Sequence, residues 1–110
     1  MSQANPPTHF MATVKIRPGK MLQFSELMPR IVAVMEQHGW RLLGAWTTIV
    51  GRLNVVTDLW QIPDANALPS GFGALMMAHD WPDIDNSLAE CVEDEVLQIM
   101  VRAPFDPGRI

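Results

Sequence analysis

The sequence has no tyrosine and a single cysteine, Cys91, among its 110 residues. The first absence removes any phenolic donor or acid, and the second excludes an intramolecular disulfide framework. No histidine or base adjoins Cys91 in sequence to activate a thiolate nucleophile. Charge is scarce too: 18% of residues are charged, 8 basic against 12 acidic, for a net charge of −4. The bases are scattered, and without a cluster to follow a phosphate backbone nucleic acid is not an expected partner. Apolar runs last a few residues, far short of the ~20 that cross a bilayer, so no membrane association is expected. The opening Met1-Ser-Gln-Ala-Asn-Pro-Pro7 lacks the basic and apolar regions of a secretion signal, and the expected location is cytoplasmic. Three dispersed histidines, no His-x-His or Cys-x-x-Cys pair, and an Asp83-x-Asp85-Asn86 fragment without a calcium-loop Gly and Glu point to no metal site. No Ser-nucleophile motif or Gly-rich phosphate loop is present.

What the chain has is apolar mass. Hydrophobic residues make up 48% of it, whereas a chain this short buries only about two-thirds of the surface it exposes when unfolded. The excess hints at a second, intermolecular core. The length fits one domain, expected over 8–105, with a disordered lead-in at 1–7 and a tail at 106–110.

Within that domain the periodicities are clear. Phe10, Ala12, Val14 and Ile16 alternate with His9, Met11, Thr13 and Lys15, which predicts a strand over 8–16. After Arg17-Pro-Gly-Lys20, a stripe of Phe24, Leu27, Met28, Ile31, Val34 and Met35 predicts a helix over about 20–38. Pro29 inside it predicts a kink or two abutting helices. Gly39 is the C-terminal stop. Residues 40–50 and 53–61 read as strands joined at Gly51-Arg52, an antiparallel hairpin. A helix between 65 and 79 carries Leu68, Phe72, Leu75, Met76 and His79, weakened at its start by Pro69, Gly71 and Gly73. Trp81-Pro82-Asp83 punctuates, 84–91 forms a short extra helix, and 95–102 alternates as the last strand. This order is α+β: a ferredoxin-like βαββαβ unit with a four-stranded antiparallel sheet and the helices on one face. The other face, apolar at alternate positions, is expected to meet a second sheet.

Four runs in order carry a family resemblance. Lys15-Ile-Arg-Pro-Gly-Lys20 resembles the strand-to-helix junction of the NIPSNAP family, and His38-Gly-Trp-Arg-Leu-Leu-Gly-Ala-Trp-Thr-Thr48 is similar to its helix end and second strand. Gly51-Arg-Leu-Asn54 leading to Asp58-Leu-Trp60 is similar to its hairpin, and Val101-Arg-Ala-Pro-Phe105 to its close. Pro69-Ser-Gly-Phe-Gly73 departs from the family's usual helix composition. The resemblance implies a dimeric α/β barrel, a homodimer with sheet against sheet and helices outside. It implies no settled reaction. Relatives on the same scaffold include cofactor-independent monooxygenases of quinol-like aromatics, haem-binding enzymes and lactone isomerases, an analogy of fold alone.

The candidate chemical groups are two. Asp58 stands mid-strand, where burial would raise its pKa and make it a base; the structural alternative is a rim carboxylate paired with an Arg such as Arg41 or Arg102. His79, on the second helix's stripe, is a base or a haem ligand, or simply a last-turn histidine favoured by the helix dipole. Trp46, Trp60, Phe24, Met28, Phe72 and Met76 are the expected pocket lining, with core or interface anchoring as the alternative for the tryptophans. Asp58 and Trp60 share a strand face. If hairpin partners sum to 104, Trp46 opposes Asp58 and joins them; at 103 it opposes Thr57 and points away. The expected function is a homodimeric domain that binds a small hydrophobic molecule or a protein partner, without a resident cofactor. The alternative is a metal-independent monooxygenase or isomerase of a small aromatic or quinol-like substrate.

Overall fold

The computed structural model describes residues 7–110; the lead-in expected at 1–7 falls almost wholly outside them. The elements are β1 (Thr8–Ile16), α1 (Met21–Glu36), β2 (Arg41–Thr47), β3 (Val55–Ile62), α2 (Ala67–Met76), α3 (Trp81–Cys91) and β4 (Val92–Met100). The sheet is antiparallel throughout, in the order β2-β3-β1-β4. This is the ferredoxin-like unit with one helix added before the last strand.

The alternation in β1 becomes two faces. Phe10, Ala12, Val14 and Ile16 are buried under the helices together with Trp60 and Ile62 of β3. From α1, Phe24, Leu27, Ile31 and Met35 press onto that face. Each large side chain so buried is worth about 1.5–3 kcal/mol, so this stripe fixes the helix on the sheet. The helix runs through Pro29 as one element, not two. Pro29 is on its exposed side, where a carbonyl left without its i+4 donor can meet water.

Several expected boundaries move. β2 stops at Thr47, and 48–54 form a loop instead of a tight turn at Gly51-Arg52. That loop needs left-handed backbone at Gly51 (φ 123°) and Asn54 (φ 59°), and closes through Thr48 N–H donating to the Val55 carbonyl at 3.0 Å. Pro69 proves compatible with α2, because a proline in the first turn lacks only an N–H that has no intrahelical partner. Trp81-Pro82 opens α3 instead of breaking the chain. Arg30 on α1 holds that helix start with hydrogen bonds to Asp80 (2.8 Å) and Asp83 (3.0 Å). β4 begins directly after α3, three residues earlier than periodicity suggests, with an irregularity beside Lys15 and Ile16.

Among the described residues no helix covers the opposite sheet face. His9, Met11, Leu59 and Met100 lie on it, and the chain beyond β4 folds back so that Arg102, Asp106 and Ile110 line a groove with His9 and Leu59.

Candidate functional site between sheet and helices

The hairpin register decides which aromatic side chains can meet Asp58. Trp46 pairs with Thr57 and Ala45 with Asp58, while Leu42 pairs with Trp60 across a bulge at Leu43. Partners near Asp58 therefore sum to 103, and Trp46 belongs to the uncovered face. Its ring lies over Gly44, where an added Cβ would stand 2.6 Å from the indole. Trp46 still borders the outer groove at the sheet edge, but its indole does not join Trp60.

Asp58 and Trp60 do share the covered face. Asp58 is 5% exposed and Trp60 3%, and the indole Nε1 donates to Asp58 Oδ2 at 2.5 Å. Burial pushes the Asp58 carboxyl above its ordinary range; the indole bond opposes that, and the negative charge of Glu95 on β4 adds to it. The expected arginine partners are not there: Arg41 pairs with Gln61 along the strand, and Arg102 engages Asp106.

Two spaces open around this carboxyl. One, of about 430 Å³, lies at the β2 edge under α1, bordered by Ser25, Pro29, Leu42 and Val56. The other, of about 220 Å³, lies beneath the helices, bordered by Trp40, Trp60, Phe72, Trp81 and Glu95. Phe24, Met28 and Asp58 line both. The inner wall is an aromatic cluster with edge-to-face contacts: Trp40 lies 5.1 Å from Phe10, 5.5 Å from Trp60 and 5.4 Å from Phe72. Trp40 Nε1 donates to the Ala67 carbonyl at 3.0 Å, which ties this wall to the start of α2.

Of the expected lining, Phe24, Met28, Trp60 and Phe72 are in place. Met76 is not: it is 55% exposed, because α2 turns Gly71 and Leu75 inward and the next residue lies about 100° round the helix. His79 is also displaced. The helix ends at Met76, so His79 falls in the exposed turn before α3 and not on an apolar stripe. A haem ligand there finds no fit, since among the described residues no histidine borders either space. The sequence reading passed over Trp40 and Glu95. Alternation could have found Glu95, which stands two and four residues before Leu97 and Ile99 and so shares their face.

Family comparison agrees with this architecture. The NIPSNAP family profile matches residues 10–107. The chain belongs to the NIPSNAP family. Among solved structures, a NIPSNAP family protein of unknown function from Agrobacterium tumefaciens superposes with a TM-score of 0.80 at 16% identity, covering 96% of both chains. An uncharacterised NIPSNAP domain protein from Burkholderia xenovorans is 25% identical, with a TM-score of 0.75 over 91% of this chain and 98% of that one. SnoaB from Streptomyces nogalater, a cofactor-independent oxygenase, shares the fold at 9% identity and a TM-score of 0.67, covering 94% and 99%. No curated protein matches the chain. No helix among the described residues is long and apolar enough to cross a membrane.

Proposed function

We propose that this NIPSNAP domain is a homodimer that holds a small hydrophobic molecule between its sheet and its helices. The binding half rests on Asp58. A buried carboxyl without a salt-bridge partner is costly, and this one lies where two apolar-walled spaces meet. The outer space falls within the usual size of small-molecule pockets, roughly 300–1,000 Å³, in which a few polar groups orient an otherwise apolar ligand. The dimer half is supported by exposed surface. Trp46, Val96, Leu97 and Ile99 of the sheet are each between 46% and 55% exposed, apolar surface of the kind that a second copy covers. Native mass spectrometry of the purified protein tests both halves. Twice the 12.3 kDa chain mass, with a small molecule released on denaturation, is expected. A ligand-free monomer that binds nothing from a panel of small aromatics overturns the proposal.

The same carboxyl supports a second reading, a metal-independent monooxygenase or isomerase. Once ionised, a carboxylate whose proton affinity is raised by burial is a stronger base than a solvated one. Asp58 would take the proton from a quinol-like hydroxyl or an activated C–H in the cavity. The fold shared with SnoaB is an analogy, not an assignment. Oxygen uptake with hydroquinones that Asp58→Asn abolishes in a folded protein supports this reading. No uptake and no isomerisation by the native protein removes it.

A further inference from the structure

We infer that the molecule held beside Asp58 is a hydrophobic organic cation, an aryl or alkyl amine whose ammonium group meets the carboxylate while its apolar part lies against the aromatic wall. The inference rests on the cavity reading above and names its ligand class.

The charges around the cavity are of one sign. Asp58 and Glu95 are the ionisable residues lining the two spaces, and no Lys, Arg or His lines either among the described residues. The sheet places both on the covered face: Asp58 pairs with Ala12 of β1, Ala12 with Leu97 of β4, and Glu95 stands two residues before Leu97. An anion entering here adds a third negative charge beside a carboxyl that is itself buried. A neutral molecule leaves the repulsion between the two carboxylates as it was. A cation relieves it and replaces part of the hydration Asp58 loses on burial.

The hydrogen bonding points the same way. Trp60 occupies Oδ2, Oδ1 has no donor from the described residues, and Asp58 borders both spaces. Oδ1 is thus an acceptor open to the cavity. An ammonium supplies donors only, up to three of them. Around it, Trp60, Phe72 and Trp81 present ring systems, whose negative faces attract a cation centred within about 6 Å. Met28 and Leu88 continue the wall in purely apolar material, so a small, strongly hydrated cation gains little there.

Three probes on one phenyl frame test the charge by itself: 2-phenylethylamine, 2-phenylethanol and phenylacetate, titrated at pH 7.5 against the intact protein by calorimetry. The amine is expected to bind at least tenfold more tightly than the alcohol, and phenylacetate most weakly. Asp58→Asn should remove most of the amine's advantage while leaving the alcohol's affinity within about twofold. Glu95→Gln, an isosteric change at an exposed position on β4, should reduce the advantage severalfold. Equal or tighter binding of the alcohol, or an amine advantage that survives both substitutions, overturns the cation and leaves the apolar-cavity reading standing. Failure of all three probes to bind overturns both.

Discussion

The indole nitrogen of Trp60 donates a hydrogen bond to the carboxyl of Asp58, two residues earlier on the same strand face, at 2.5 Å. Period-two geometry makes neighbours of i and i+2 on a strand, but such a pair is normally left to solvent. Here it lies beneath two helices, and the one donor satisfies only part of the carboxyl's need.

That imbalance fixes a pH dependence. The Asp58 carboxyl titrates above its ordinary range, chiefly through burial. A group whose native pKa exceeds the unfolded value contributes stability that is complete below the unfolded pKa and lost as pH rises through the native one. Ionised Asp58 therefore weakens the fold at neutral pH. Asn is neutral and keeps an acceptor for Trp60. Asp58→Asn should stabilise the ligand-free protein at pH 7.5, because it removes a negative charge that burial penalises. The gain should disappear near pH 3.5. Urea denaturation at the two pH values measures it.

The covered face was legible because it depends on alternation alone: Phe10, Ala12, Val14 and Ile16 are all buried as their spacing requires. Asp58 and Trp60 followed from the same rule. The position of Trp46 did not, because a bulge at Leu43 shifts the register within one short hairpin, which Gly44 in mid-strand signals without fixing where the extra residue falls. His79 was misplaced for a different reason. The spacing Phe72, Leu75, Met76, His79 suits a helix, but α2 ends at Met76 as Ala78 N–H turns back to the Leu75 carbonyl, three residues earlier, at 3.1 Å, and neither Gly nor Pro marks that stop. Gly71 was visible as a weak point in a helix. Its use was not, because what approaches it comes from Trp40, 31 positions away in the chain.

Gly71 is where the aromatic wall meets α2. A methyl group added there would strike Trp40 Nε1 and stand 2.9 Å from Met35 Cε. Trp40 is 3% exposed, and its Nε1 is bonded to the Ala67 carbonyl, so it cannot give way without breaking that bond. Gly71→Ala has the better helix former yet should destabilise by about 2 kcal/mol, the sum of overpacking and a lost buried hydrogen bond. Gly73→Ala, with nothing within 4 Å of the added Cβ, should be neutral or stabilising. Thermal or urea unfolding of the two variants side by side separates packing from propensity.

On the uncovered face, His9 is 5% exposed and its Nε2 has no hydrogen-bond partner among the described residues. Burial first, and the Arg102 charge second, push its pKa below the ordinary value, with Asp106 pulling the other way. A histidine with a depressed native pKa contributes stability that is complete above the unfolded value near 6.5 and lost as pH falls through the native one. The His9 contribution to stability should therefore be lost between pH 7 and pH 5, against the opposite trend of Asp58. His9→Phe, which cannot titrate, should flatten that slope. Denaturation midpoints at pH 7, 6 and 5 test this, and an unchanged slope in the variant assigns it to another group.

The sheet face that carries His9 also carries Leu59, which lines the groove beneath the returning chain end. Leu59 stands between Asp58 and Trp60 but points away from the cavity, so a charge placed there tests the proposed dimer without touching the binding wall. A sheet-to-sheet interface of roughly 2,000 Å² or more is of the obligate kind, and a guanidinium buried at its centre without a partner is strongly disfavoured. Leu59→Arg should shift the sedimenting species from about twice the 12.3 kDa chain mass towards the monomer and lower the unfolding midpoint in a concentration-dependent way. Met76→Arg, on the exposed side of α2, should change neither. If both variants sediment as the unaltered protein does, the two sheets do not meet at this face.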